Sequence, residues 1–180
     1  DLKKLAFWMA TGSGKTLIMH FNYRQFLHYN REPLDNILLI TPNEGLSEQH
    51  IEEMALSGIP CCRFSLDGGG LGMQAKNEVR VTEITKLVEE KRGGGVSVPV
   101  DAFEGRNLVF VDEGHKGSGS TRNESGWLNL RRQVEEEGFC FDYSATFGQA
   151  LNAFGEDDLT DTSGKAIVFD YSYRYFHGDG

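Results

Sequence analysis

The sequence predicts a three-layer α/β domain with a mostly parallel central sheet. Short apolar runs alternate along the chain with segments of helical periodicity. The runs at 36–41 and 107–112 are continuously apolar rather than alternating. Strands of that kind are buried on both faces of a parallel sheet, with helices packed above and below it. The chain has 180 residues, which is enough for one domain with a proper core.

The predicted elements follow one another in a regular order. Strands are predicted at short apolar runs, and helices where apolar residues recur every three or four positions. The predicted strands are 5–10, 36–41, 59–65, 78–82, 107–112, 139–145 and 165–172. The predicted helices are 15–29, 46–56 with Ser47 as its cap, 83–91, and 124–137, which Gly138 can end. Glycine-rich loops are predicted at 67–74 and 92–105.

The composition narrows the class of protein. The chain has 18 Lys and Arg against 27 Asp and Glu, and its net charge of −9 argues against coating nucleic acid by bulk charge. A local basic groove is still compatible with that charge. Three irregularly spaced cysteines form no disulfide framework and favour a cytoplasmic location. No apolar stretch is long enough to span a bilayer, so no membrane partner is expected. Both ends look cut, and we expect residues 1–180 to form a single lobe of a longer protein.

The first predicted strand leads into "MATGSGKT", Met9–Thr16, which then opens a helix. That context is typical of a phosphate-binding loop, although the common pattern has glycine where this chain has Met9. Glycine lets the backbone approach a polyphosphate, and the amides and the helix N-terminus attract its charge. Lys15 can reach the outer phosphates, and the Thr16 hydroxyl can ligate Mg²⁺. The predicted nucleotide-binding residues are Thr11, Gly12, Ser13, Gly14, Lys15 and Thr16.

A pair of carboxylates, Asp112 and Glu113, ends the strand at 107–112 in "VFVDEGHKGSGS". Alone, such a pair is more often a solvated strand end than a site. After a phosphate loop, Asp112 can hold the hydration shell of Mg²⁺, and Glu113 can orient and deprotonate the attacking water. His115 is not expected to be a metal ligand, because no second His or Cys lies at ligand spacing. Ligands of parallel sheets bind beyond the carboxyl ends of strands, so the chemistry should lie just after residues 10, 41, 112 and 145.

Four segments occur in the order of motifs I, Ia, II and III of superfamily 2 DNA/RNA helicases and translocases, which they resemble. These segments are Met9–Thr16, Thr41–Asn43, Asp112–His115 and Ser144–Thr146. "ITPNEGLSEQH" and "FVDEGHKG" look most like the motor subunits of type III restriction enzymes and related defence helicases. The resemblance implies a RecA-like P-loop lobe that binds ATP and Mg²⁺. It implies hydrolysis by Lys15, Asp112, Glu113 and His115 once a second RecA-like lobe is present.

The same resemblance implies contacts with further partners. Thr41, Pro42 and Asn43 match the motif that contacts the nucleic-acid backbone, here expected to be double-stranded DNA. Ser144 and Thr146 match the motif that couples hydrolysis to strand movement, in contact with His115. We expect the strands ending at 112 and 145 to be neighbours, which would bring these side chains together. A methylation or specificity subunit is a further implied partner.

Other interpretations are compatible with parts of this pattern. "TPN" is also simply a good turn, and "SAT" is also an ordinary strand end. A binding-only nucleotide module would keep the loop without turnover. A P-loop kinase or GTPase would share the loop, but the chain has no N-K-x-D guanine motif, and kinases need no D-E-x-H followed by S-A-T. Motifs IV to VI of the helicases are absent, so the chain resembles the first lobe alone.

Overall fold

The computed structural model describes residues 3–64, 75–88, 98–113, 138–145, 167–171 and 177–178. The main sheet contains β1 (Lys4–Met9), β2 (Asn36–Thr41), β3 (Cys61–Arg63), β4 (Val79–Glu83), β7 (Asn107–Asp112), β8 (Phe139–Ser144) and β9 (Ile167–Tyr171). A second, two-stranded sheet contains β5 (Leu87–Val88) and β6 (Val98–Pro99). The long helices of the described residues are α1 (Lys15–Tyr29) and α2 (Glu44–Leu56), and 3₁₀ turns lie at Ile84–Lys86 and Val100–Phe103.

The strands of the main sheet are ordered β3-β4-β2-β7-β8-β1-β9, and every described pair is parallel. The predicted α/β fold with a mostly parallel sheet is therefore confirmed. β7 and β8 are neighbours, as expected, with Asp112 opposite Tyr143. Because parallel strands share one direction, the carboxyl ends of β1, β2, β7 and β8 lie at the same edge of the sheet.

The sheet buries apolar side chains on both faces. On one face, residues of α1 and α2 such as Met19 and Met54 pack over β2, β7 and β8, where Phe110 stacks on Phe141 with ring centroids 5.3 Å apart. On the other face, Phe103 and its neighbours from the segment after β4 cover a second buried cluster. Alternate residues of β2 and β7 belong to the two clusters, which explains why both strands are continuously apolar.

Several predicted boundaries differ from the observed ones. β1 begins and ends one residue earlier than predicted, and the strand predicted at 59–65 shortens to Cys61–Arg63. The helix predicted at 83–91 is wrong, because a single 3₁₀ turn there leads into β5. Ile84 and Leu87 are buried by this route, and β5 then pairs with β6 inside the stretch that we predicted to be loop. The apolar residues are therefore buried, as their spacing predicts. The backbone is extended rather than helical because β6 pairs with β5.

The start of α2 also differs from the prediction. The helix begins at Glu44, and its cap is Asn43, whose Oδ1 accepts a hydrogen bond from Leu46 N at 3.0 Å. Ser47 is not the cap, because it lies one turn into the helix and is fully buried. Its hydroxyl lies 2.7 Å from Thr41 Oγ1 and donates to Glu83 Oε1 at 3.0 Å. Asparagine and serine are both good caps, and the earlier acceptor is the one that α2 uses.

Some predictions fall outside the described residues. These are the helix at 124–137, the loop at 67–74, and the positions of His115 and Thr146. Gly138, the predicted helix end, packs so closely on β7 that a Cβ would lie 2.2 Å from the carbonyl oxygen of Asn107. In the ranges that the structure does describe, no helix is both long and apolar enough to cross a membrane.

Candidate active site

The loop after β1 turns sharply into α1. Gly12 and Gly14 have φ angles of 83° and 92°, a left-handed conformation that side chains disfavour. Ser13 Oγ closes the turn by donating to Ala10 O at 2.6 Å. Ile18 N makes the first hydrogen bond of the helix, to Gly14 O at 3.1 Å. The amides before Ile18 in the first turn thus have no acceptor inside the helix and can bind an anion beyond it.

Lys15, the first residue of α1, reaches across to the end of β7. Its ammonium group forms an ion pair and hydrogen bond with Glu113 Oε1 and lies 3.9 Å from Asp112 Oδ1. The side chains of all three residues are at most 15% exposed. The fold thus brings together the lysine and the two carboxylates that the sequence analysis selected from segments almost 100 residues apart. Thr16 is half-buried in the same first turn of α1.

Glu113 is held firmly at the end of β7. Its φ angle is 51°, an unusual left-handed backbone for a residue other than glycine, of the kind that often marks functional sites. Its backbone N donates to Tyr143 O at 2.9 Å. Its carboxylate accepts hydrogen bonds from Ala145 N at 3.0 Å and from the Ser144 hydroxyl at 3.1 Å. The end of β8 therefore orients the carboxylate of Glu113 through two donors.

The ends of β8 and β1 are joined as well. Trp8 Nε1 donates to Ala145 O at 3.1 Å, and Trp8 lies opposite Ser144 in the strand ladder. Ser144, the predicted coupling residue, contacts Glu113 through the hydrogen bond from its hydroxyl. Its predicted contact with His115, and the role of Thr146, lie outside the described residues.

Asp112 has two oxygens in different surroundings. Oδ2 lies 2.9 Å from Nε2 of His50, which belongs to α2. Oδ1 is buried, faces Lys15, and has no hydrogen-bond partner in the described part of the chain. A buried carboxylate oxygen without a donor is suited to a cation or to a water that the cation holds. Mg²⁺ commonly takes one or two carboxylates together with substrate phosphates, so Asp112 fits such an ion, and the ligand role of the Thr16 hydroxyl stays a prediction.

A comparison with models of protein families identifies the family of this chain. The family model described as type III restriction enzyme, res subunit (ResIII) matches residues 1–149, which is most of the chain. The chain belongs to this family. The motif resemblance is confirmed by this match, and the chain is a helicase-like ATP-binding lobe. Membership in ResIII implies the use of a nucleotide and a metal ion.

Solved structures include a similar chain. The SWI2/SNF2 ATPase core of Sulfolobus solfataricus, in complex with dsDNA, matches with a TM-score of 0.49 and 14% sequence identity. The match covers 97% of this chain and 34% of that chain, so this chain spans about a third of its length. A comparison with curated proteins found no match.

The predicted nucleic-acid segment of this ResIII chain lies at the end of β2. Thr41 and Pro42 are buried, whereas Asn43 is exposed. The Thr41 hydroxyl lies beside Ser47 Oγ, and the Asn43 side chain caps α2. The two side chains thus shape the turn into α2. This agrees with the interpretation of "TPN" as a turn-forming segment. Their contact with nucleic acid stays a prediction.

A charged network supports this turn from β4. The buried Glu83 accepts hydrogen bonds from Ser47 and from Arg63 Nη1 at 2.9 Å, and it forms an ion pair with Lys86. Burial acts to raise the pKa of Glu83. The hydrogen bonds from Lys86 and Ser47, together with the charges of Lys86 and Arg63, outweigh it and hold the pKa below its usual 4.5. Glu83 therefore stays ionised at neutral pH.

Two features of the ResIII site escaped the sequence analysis. The first is Glu83, whose network joins β4 to α2. The second is His50, a residue of "ITPNEGLSEQH" for which the sequence predicted no role. Ser47, His50 and Met54 form the buried side of α2, at positions i, i+3 and i+7. A histidine on the buried side of a helix needs a polar partner, and that position was the available signal.

Proposed function

We propose that this chain is the first motor lobe of a nucleic-acid-dependent ATPase, a helicase or DNA translocase of restriction or defence type. The observation that carries the proposal is the contact of Lys15 with Glu113 and its proximity to Asp112. A phosphate-loop lysine beside two buried strand-end carboxylates is an arrangement suited to phosphoryl transfer from a magnesium nucleotide. Membership in ResIII supports the same reaction class.

The described residues have distinct roles in this proposal. The amides of the loop Thr11–Gly14 and the N-terminus of α1 bind the phosphates, and Lys15 neutralises the outer ones. Thr16 and Asp112 hold the Mg²⁺ ion, which when bound supplies positive charge to the phosphate oxygens. Glu113 accepts a proton from the attacking water. The donors from β8 keep its carboxylate in a single orientation for that task.

The remaining partners of the motor are part of the same proposal. Residues 1–180 form a single RecA-like lobe, and a second lobe supplies the arginine that stabilises the transition state. Thr41, Pro42 and Asn43 lie at the nucleic-acid side, and double-stranded DNA is the substrate. His115 and Thr146 act with Ser144 in coupling. A methylation or specificity subunit accompanies the motor in the cytoplasm.

Nucleotide binding tests the site assignment. In the full-length protein that carries this chain, calorimetry should detect ATP or ADP with Mg²⁺, and Lys15→Ala should remove that binding. The lost ammonium group is the one that meets the outer phosphates. Lys76→Ala is the matched control, because it removes the same charge at an exposed position away from the site. Binding that survives Lys15→Ala would show that the nucleotide does not occupy this loop.

A further inference from the structure

The carboxylate of Asp112 is held from α2, an element that the proposed reaction does not otherwise use. His50 Nε2 lies 2.9 Å from Asp112 Oδ2, and the histidine side chain is 3% exposed. The two residues are 62 positions apart in the sequence. The contact therefore arises from the packing of α2 against the end of β7.

The direction of this hydrogen bond follows from the chemistry of its two groups. An ionised carboxylate can only accept, so His50 Nε2 carries the proton and donates it. His50 Nδ1 is buried and has no hydrogen-bond partner within the described ranges. The polar contact that orients the imidazole is thus the one with Asp112.

The backbone that carries His50 is itself anchored. One turn earlier on α2, the Ser47 hydroxyl is fastened to Thr41 and to Glu83. One turn later, Met54 is fully buried in the core between α2 and the sheet. A donor mounted on such a fixed helix can hold the carboxylate in one rotamer.

The hydrogen bond with His50 gives the two oxygens of Asp112 different surroundings. Oδ2 is occupied by His50, while Oδ1 faces Lys15 and the phosphate loop without a hydrogen-bond partner in the described residues. Rotation of the carboxylate would break the bond with His50. The bond with His50 therefore fixes the plane of the carboxylate, with one oxygen toward α2 and the other toward Lys15.

We propose that His50 is a positioning residue that orients Asp112 toward the magnesium ion of the bound nucleotide. This inference rests on the proposed function, and it adds to it a residue from α2. Hydrogen-bonding partners of metal ligands orient those ligands, and their loss typically costs about 10–100-fold in metal affinity or activity. The His50 side chain is only 3% exposed and its hydrogen bond is with Asp112, so we expect its loss not to mimic the loss of Lys15.

The test compares His50→Leu with His50→Gln in the full-length protein. The probe is Mn²⁺, titrated by electron paramagnetic resonance in the presence of a non-hydrolysable imido analogue of ATP. His50→Leu should weaken Mn²⁺ binding about 10–100-fold. It should leave the affinity for the analogue without divalent cation unchanged. His50→Gln should restore most of the Mn²⁺ affinity, because its amide can donate from nearly the same place as Nε2. The magnesium concentration for half-maximal hydrolysis should follow the same order.

A second buried histidine provides the control that separates a loss of core packing from a loss of positioning. His20 on α1 is also buried, but its Nδ1 lies 2.8 Å from Ser57 Oγ and it does not contact Asp112. His20→Leu should keep the wild-type metal dependence. If His50→Leu does not fold, His50→Asn replaces it, since the shorter amide cannot reach Oδ2. Equal Mn²⁺ affinity in His50→Asn and His50→Gln would then overturn the proposal.

The failure of this inference differs from the failure of the proposed function. Wild-type protein that binds neither the analogue nor its Mn²⁺ complex would refute both. Wild-type binding together with an unaltered Mn²⁺ affinity in His50→Leu would refute the positioning role alone. An equal loss in His20→Leu and His50→Leu would also refute it, because packing would then account for the effect.

Discussion

Glu113 shows how much of the candidate chemistry depends on the surroundings of single residues. Its left-handed backbone, at φ 51°, turns the chain as it leaves β7. The carboxylate then meets Lys15 on one side and the donors Ser144 and Ala145 on the other. A general base must be oriented toward its water before its basicity matters. In our proposal, these contacts provide that orientation.

Replacing Glu113 should separate binding from hydrolysis. We expect Glu113→Gln in the full-length protein to keep nucleotide binding, because the amide fills the same space beside Lys15. Hydrolysis should fall by about 10²–10⁴-fold, since an amide cannot accept the proton. Nucleotide affinity and single-turnover hydrolysis measure the two effects. Glu52→Gln, at an exposed position of α2, is the control. Unchanged hydrolysis in Glu113→Gln would favour another base, and absence of hydrolysis in the wild type would favour a binding-only module.

At the scale of elements, the end of β4 is hydrogen-bonded to the first buried residue of α2. Glu83 holds Ser47 of α2, and it is itself held by Arg63 of β3 and by Lys86 of the 3₁₀ turn. Four elements therefore meet at one buried carboxylate. Removing a buried hydrogen-bonded charge leaves its partners unsatisfied, so this junction should contribute to stability.

The contribution of Glu83 should depend on pH with a definite sign. Its pKa in the folded chain is lowered below 4.5, so the folded state binds this proton less readily than the unfolded state. The resulting stabilisation is fully present above about pH 4.5, and it is lost as the pH falls through the lowered pKa. Denaturant unfolding of wild type and Glu83→Gln should therefore differ most above that pH and converge below it.

A substitution on the exposed side of α2 serves as the control for this pH dependence. Glu52→Gln removes a carboxylate at an exposed position of the same helix. Its difference from wild type should stay small at every pH, because surface charges contribute little. A constant difference between wild type and Glu83→Gln across the acidic range would contradict the lowered pKa.

At the scale of the whole molecule, the strand order decides which segments can share a site. β1 lies between β8 and β9, and β7 lies between β2 and β8. The phosphate loop after β1, the carboxylates after β7 and the donors after β8 therefore meet at one edge of the sheet. This edge holds the nucleotide in our proposal, and the opposing wall of the cleft belongs to a second lobe.

The single-lobe proposal predicts near-background turnover for these 180 residues alone. An arginine supplied from another lobe or subunit is worth roughly 10³–10⁵-fold in related phosphoryl transfers. We expect the full-length protein to show ATP hydrolysis that DNA stimulates, and the isolated chain to bind nucleotide without such stimulation. Comparing the two rates at equal concentrations, with and without DNA, is the measurement. Robust DNA-stimulated hydrolysis by the isolated chain would refute the proposal.

Local pattern was sufficient for the framework of this protein. The apolar runs of β2 and β7 determined a parallel sheet buried on both faces, because only such strands hide every side chain. The strand–loop–helix context of Gly12 to Thr16 predicted a phosphate loop and the start of α1, since glycine spacing and a helix start are properties of neighbouring residues. Parallel strands also share an edge, so the meeting of Lys15 with Asp112 and Glu113 could be predicted before the fold was known.

Other features depended on contacts between distant segments, and only the tertiary structure decided them. Ser47 is a good cap by type, but its hydroxyl is bonded to Glu83, 36 positions away, and Asn43 caps α2 instead. The apolar spacing after Glu83 suited a helix until β6 offered a strand partner. His50 finds its partner outside its own helix, because the fold brings Asp112 at the end of β7 within hydrogen-bond reach of α2. Periodicity records which side chains are buried, whereas the group that each buried polar atom meets is set by the order of the strands.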